Sequence, residues 1–184
     1  EVFQEGSHLD AEDVLITRLM GANTAMYGAG GIGITSYASA ELKGVAIIDH
    51  ELSAIRVVRS EVSAEGLFVS GGRDITRGEF NPALGIWLYG SDEESLGRAT
   101  LSESVFSDSE GLGVYASAFA DLEVSRSRFA RFSSGDGFGK SAALFLFAEV
   151  LDSLSVGLED SSIEDIEGSA VVNLFSDLQL KRSL

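Results

Sequence analysis

Three aromatic residues, Trp87, Tyr115 and Phe145, each stand one position before the last residue of a short apolar-x-apolar segment: Ile86-Trp-Leu88, Val114-Tyr-Ala116 and Leu144-Phe-Leu146. If those segments are strands with their flanking residues turned inward, the three rings face outward, because successive side chains on a strand point to opposite sides. Arg56 holds the same place in Ile55-Arg-Val57, Gly33 in Ile32-Gly-Ile34 and Val171 in Ala170-Val-Val172. Two residues beyond each, a companion outward row reads Thr35, Val58, Tyr89, Ser117, Phe147 and Asn173. A row of flat rings can stack on sugar faces while Arg56 hydrogen-bonds hydroxyls; the same apolar surface is equally suited to a covering loop, an adjoining domain or a second subunit. The ligand-binding candidates are therefore Arg56, Trp87, Tyr89, Tyr115, Phe145 and Phe147, and the partner they imply is a polysaccharide or another protein or subunit.

Other residues with chemical potential are isolated. Asp49-His50-Glu51 sets an imidazole between two carboxylates, an acid/base or metal-ligand arrangement, yet no second histidine stands near it and the segment reads as an exposed turn. Arg73-Asp74, Arg77 and Glu79 fall in a long inter-strand stretch of the kind that carries function. Ser91-Asp-Glu-Glu-Ser95 gathers carboxylates without the glycine-punctuated ligand spacing of a calcium loop. Gly135-Asp-Gly-Phe-Gly139 does not lead from a strand into a helix as a nucleotide loop does, and no Gly-x-Ser-x-Gly or His-Glu-x-x-His occurs. No catalytic residue is assigned, no metal site is expected and no cofactor is implied.

The elements that would position these residues repeat along the chain. Ala99-Thr-Leu101-Ser-Glu-Ser104-Val-Phe106, Leu122-Glu-Val124-Ser-Arg-Ser127-Arg-Phe129 and Val156-Gly-Leu158-Glu-Asp-Ser161-Ser-Ile163 share one pattern, and Leu178-Gln-Leu180-Lys-Arg-Ser183 begins a fourth copy. Weaker copies centre on Leu42 and Val69, with a further one at Ile16. Taking Leu42, Val69, Leu101, Val124, Leu158 and Leu180 as equivalent gives steps of 27, 32, 23, 34 and 22 residues. Each is preceded by one of the apolar-x-apolar segments above. Such coils cannot bury an apolar face alone, but stacked they close a continuous core.

Secondary ladders support this register. Three residues after the inward position stand Val45, Gly72, Ser104, Ser127, Ser161 and Ser183, so four successive coils place serine at a bend. Glu103, Arg126, Asp160 and Arg182 alternate in sign one residue earlier, as charges stacked on neighbouring rungs should. Tyr37, Phe119 and Phe175 recur in the three short coils and read as stacked core residues at a corner.

On these motifs, over Leu9 to Leu184, the chain resembles the right-handed parallel β-helix repeat family, the superfamily of pectate lyases, tailspikes and many bacterial surface proteins. The resemblance implies an all-β fold: a right-handed parallel β-helix, a single-stranded solenoid of about six to seven coils. Residues 1–184 would form one domain of a longer protein. It implies little about activity, since that superfamily includes lyases, hydrolases, epimerases and non-catalytic proteins. A lyase of this kind would place several Asp for calcium and an arginine base on one outward face, and no such cluster occurs; the carboxylates are scattered over turns. Pentapeptide repeats fit only Ala120-Asp-Leu122-Glu-Val, and three Asn in the chain leave no recurrent Asn for a leucine-rich repeat.

Composition narrows the partners. With 13 basic and 29 acidic residues the formal net charge is −16, which disfavours nucleic acid and anionic lipid and repels a polyanionic substrate. No run approaches the roughly 18 apolar residues of a spanning helix, so no membrane insertion is expected. Cysteine is absent, which excludes a disulfide scaffold. The expected role is a structural or adhesive β-helix domain of a secreted or cell-surface, extracellular protein. The alternatives are a carbohydrate-binding module using the aromatic row, or a polysaccharide lyase or hydrolase.

Overall fold

The computed structural model describes residues 2–19, 30–73, 83–134, 141–148, 153–174 and 176–183. Among them are nineteen strands and no helix, and each paired strand runs parallel to its neighbours. The chain winds as a parallel β-helix with three faces per coil. The first face stacks Val2–Phe3, Gly30–Thr35, Ser53–Val58, Ala83–Gly90, the second half of Val105–Ala118, Ala142–Phe147 and Ser169–Leu174. The second stacks His8–Glu12, Ser39–Lys43, Glu61–Glu65, Gly97–Ser102, Ala120–Ser125, Leu154–Glu159 and Asp177–Lys181, giving seven rungs. The third stacks Leu15–Leu19, Ala46–His50, Phe68–Ser70, the first half of Val105–Ala118, Arg128–Ser133 and Ser162–Ile166.

The inward ladder of the second face runs Ala11, Leu42, Ala64, Leu101, Val124, Leu158 and Leu180. Ala64, not Val69, holds the rung between Leu42 and Leu101. Val69 belongs to the third face, between Ile47 and Phe106. The reason is degeneracy: Val62-Ser-Ala64 and Phe68-Val69 both alternate, and only pairing with adjacent rungs shows which segment lies under Leu101. Leu42, Leu101, Val124 and Leu158 are buried, whereas Leu180, on the terminal rung of the face, is 60% exposed.

The first face carries Ile34, Val57, Leu88, Ala116 and Leu146 in one inward ladder. At its last rung the expected register is off by one residue: Asn173 lies beside Leu146, and Val171 pairs with Leu144 and packs on the core. The consecutive valines Val171-Val172 make the alternation ambiguous there. The third face is filled by Ile16, Ile47, Val69, Phe106, Phe129 and Ile163. Phe106 and Phe129 stack at 5.0 Å with planes 7° apart. Gly85 and Gly113, across the interior, make room for these rings: a Cβ on Gly113 would come 2.5 Å from the Ala143 carbonyl oxygen and 3.0 Å from the Phe129 ring. In one coil the third and first faces join without a loop, because Gly111 turns the strand with φ of 127°.

The recurrent serines satisfy the bend between the second and third faces. Ser104, Ser127 and Ser161 each donate their hydroxyl to the carbonyl two residues earlier, at 2.8–2.9 Å. Each Oγ also accepts a backbone N–H from the preceding rung: Leu67 to Ser104 (3.3 Å), Ser104 to Ser127 (3.0 Å) and Ser127 to Ser161 (3.0 Å). Backbone groups at a sharp buried bend cannot all join the strand ladder, and an unpaired one is costly, so a small side chain carrying both donor and acceptor fits there. Leu67, not Gly72, is the equivalent in the Ala64 coil. Ser60 and Ser109 do the same at the other two bends, accepting from Ala38 N–H (3.2 Å) and Gly72 N–H (3.1 Å).

The residue before each of these serines is left-handed and points to solvent: Glu103 (φ 52°), Arg126 (46°), Asp160 (49°) and Arg182 (50°). Their charges pair as the alternation predicts, Arg126–Glu103 at 3.1 Å and Arg182–Asp160 at 2.7 Å. A second ladder of the same kind, at the third bend, carries Asp108, Arg131 and Asp165. There Arg131 grips Asp108 with two hydrogen bonds and holds that carboxyl below its ordinary range.

Candidate binding face

The outward row of the first face is built as its spacing predicts. Arg56 pairs with Trp87, Trp87 with Tyr115 and Tyr115 with Phe145, so the four occupy one row on adjacent rungs, about 4.8 Å apart. The row begins at Gly33 and ends at Val172 rather than Val171, through the one-residue difference noted above. Tyr89 and Phe147 flank it on either side of the buried Ser117, the companion row ending at Leu174 rather than Asn173.

Although these side chains leave the sheet on its outer side, Arg56, Trp87, Tyr89, Tyr115, Phe145 and Phe147 are all only half-exposed, and the Trp87 indole nitrogen is shielded from solvent. Tyr115 and Phe145 lean on one another, ring centroids 5.6 Å apart and planes tilted by 37°. Rings stacked in this way turn part of their faces to each other and present edges outward. The row is therefore an apolar rib along the solenoid axis, with a guanidinium at one end.

The other sequence candidates are dispersed. His50 is not on an exposed turn; it is 1% exposed and lies inside the third face beside Leu19 of the preceding rung. Asp49 and Glu51 remain at the surface of that strand, where they line a cleft of about 310 Å³ with Arg18 and Arg73, and Asp49 accepts a hydrogen bond from Arg73 at 3.4 Å. Asp74, Arg77, Glu79 and the Gly135–Gly139 segment lie outside the described residues. The 91–95 segment forms a turn closed on itself: Asp92 accepts from Ser91 Oγ (3.0 Å) and Glu94 N–H (3.1 Å), and bonds from Ser95 and Ser91 hold its carboxyl below the usual range. Tyr37 is 50% exposed rather than a core corner residue; its hydroxyl bonds Ser95 Oγ at 2.9 Å, and the Arg59 guanidinium sits 5.8 Å from its ring centre. Phe119 is half-buried and lines a shallow hollow with Tyr37 and the 92–95 turn, and Phe175 lies outside the described residues.

One constellation escapes the sequence reading. On the second face His8 Nδ1 lies 2.7 Å from Ser39 Oγ, and His8 Nε2 lies 3.0 Å from Asp10. The signal is available in hindsight, since His8 and Asp10 share one side of a strand and Ser39 is the cross-rung partner of His8. A hydroxyl–imidazole–carboxylate chain polarises the hydroxyl, but acyl transfer draws most of its acceleration from amides aimed at the oxyanion. Here the Ser39 N–H is committed to the Ser7 carbonyl, and the three side chains stand on an open sheet surface. No group of three or more metal-ligating side chains assembles among the described residues.

Comparison with protein-family models, with curated proteins and with solved structures gives no match. The architecture above thus stands on its own strand pairing and register.

Proposed function

We propose that this chain is a structural or adhesive β-helix domain of a secreted or cell-surface protein, affiliated with non-catalytic members of the pectate-lyase-like superfamily, and that the first face is its contact surface. The observation that carries this reading is the rib Arg56–Trp87–Tyr115–Phe145, a contiguous apolar strip on a scaffold of continuous buried ladders. Contiguous apolar surface that stays half-exposed in this way usually marks a place of contact. The remaining surface supports the same role: acidic overall, with stacked ion pairs that fix rung register rather than converge on a substrate.

Carbohydrate binding is the second reading, favoured by Arg56 sharing the row with Trp87. Apolar ring surface and a hydrogen-bonding guanidinium suit a neutral glycan, whereas an acidic one meets the repulsion of the net charge. A glycan array probed with the protein, followed by Trp87 fluorescence titration against the hits, tests it. Saturable quenching or a spectral shift, lost in Tyr115→Ala, supports sugar contact. A silent array together with a Trp87→Ala variant that shifts sedimentation to a smaller species supports protein–protein contact through the same face. If neither array nor sedimentation responds, the face is not a contact surface and the proposal fails.

A further inference from the structure

We propose that His50 is an acid-responsive latch on the third face, whose protonation drives a local opening of the coil segment 70–73 away from the strand Ala46–His50. The argument begins with the company the imidazole keeps. In neighbouring rungs the same inward position holds Leu19, Gly72, the internally bonded Ser109, and Phe132. His50 is as buried as Gly72, Ser109 and Phe132, yet neither of its ring nitrogens makes a well-formed hydrogen bond among the described residues. It is also wedged tightly: a Cβ on Gly72 would come 2.9 Å from both Cε1 and Nε2 of the ring, so only glycine leaves the space the ring fills.

A charge placed there is only partly compensated by the described residues around it. Asp49 and Glu51 on the same strand, Arg18 on the preceding rung and Arg73 on the next line the cleft outside the ring, two cations against two anions. Of these, Asp49 favours the protonated ring, as do the carbonyls of Ser70 and of Leu84 on the first face. Burial outweighs them and pushes the imidazole down to about 4. The sign follows directly. Between about 6.5 and about 4 the opened state binds a proton that the closed state does not, so falling pH favours opening, by about tenfold per pH unit for one group.

The opening is local because the ladder is thin at this point. Phe68–Ser70 is only three residues long, and beyond it the contact with the preceding rung among the described residues is the bridge between Glu51 and Arg73 and the exposed Arg73–Asp49 pair. Sub-global opening is cheapest where ladder bonds are few.

The test is native-state amide exchange on the intact chain across this pH range, corrected for intrinsic exchange, in the wild type and in His50→Leu. The opening constant at Arg73, whose N–H donates to the His50 carbonyl at 2.9 Å, should rise by about tenfold per pH unit on acidification, while amides of Leu122–Val124 and Val156–Leu158 do not follow. The slope should vanish in His50→Leu and equally in His50→Gln, which keeps a polar, non-titrating side chain if leucine fails to fold. A wild type without the slope, a slope shared by all rungs, or one that survives both substitutions overturns the proposal.

Discussion

Ser127→Ala tests the physical role of the serine ladder most directly. The hydroxyl accepts the Ser104 N–H at 3.0 Å and donates to the Ser125 carbonyl at 2.8 Å. Ser104 is fully buried, so once the oxygen is gone its N–H has neither protein nor water as partner. The Ser125 carbonyl keeps the Glu103 N–H it also accepts, at 3.1 Å. The volume removed is a single oxygen, too small to add a cavity penalty, so the cost is that of one orphaned buried donor, about 1–3 kcal/mol. In a domain of this length that lowers Tm by about 2–4 °C per kcal/mol. Urea unfolding followed by Trp87 fluorescence gives the difference from the midpoint shift. Ser183→Ala is the internal control: its single hydroxyl proton is shared between the Leu158 and Lys181 carbonyls and, among the described residues, its oxygen accepts no backbone N–H, so its removal orphans no buried donor and should cost no more than about 0.5 kcal/mol. If Ser127→Ala proves as mild as Ser183→Ala, the serines are at the bend for size alone and the hydrogen-bond account is refuted.

Three further outcomes are expected. Val124→Asp, at a 2% exposed ladder position, should cost several kcal/mol, because a buried carboxylate there has no partner; loss of the cooperative unfolding transition in circular dichroism would register it. Gly113→Ala should destabilise despite adding one methyl group, since its Cβ meets the Ala143 carbonyl oxygen at 2.5 Å and the Phe129 ring at 3.0 Å; thermal melts should show a clear loss, larger than for an exposed Ser63→Ala control. Arg131→Gln removes the partner that depresses Asp108, a group whose contribution is present above the unfolded carboxyl range and is lost as pH falls through the folded value. The variant should therefore melt lower than the wild type at neutral pH and low salt, with the gap closing both in strong acid and at high salt.

What the residues themselves determine here is the coil. Serines spaced at Ser104, Ser127 and Ser161, with an apolar ladder three residues before them and sign-alternating residues directly before them, can be satisfied together only by parallel stacking. The aromatic rib follows from the same counting, because Trp87, Tyr115 and Phe145 sit at equal offsets from inward neighbours that the strand pleat fixes. The pattern fails where several segments of one coil alternate equally well. Val62-Ser-Ala64 and Phe68-Val69 are interchangeable as sequence, and the choice between them is made by which one hydrogen-bonds beneath Leu101. The fate of Asp49-His50-Glu51 is likewise tertiary. Three polar residues in succession read as surface, and strict alternation from the buried Ile47 would turn His50 outward; the left-handed Asp49 (φ 57°) breaks the alternation and sends His50 inward, into the space that the absence of a side chain at Gly72, one rung away, leaves open.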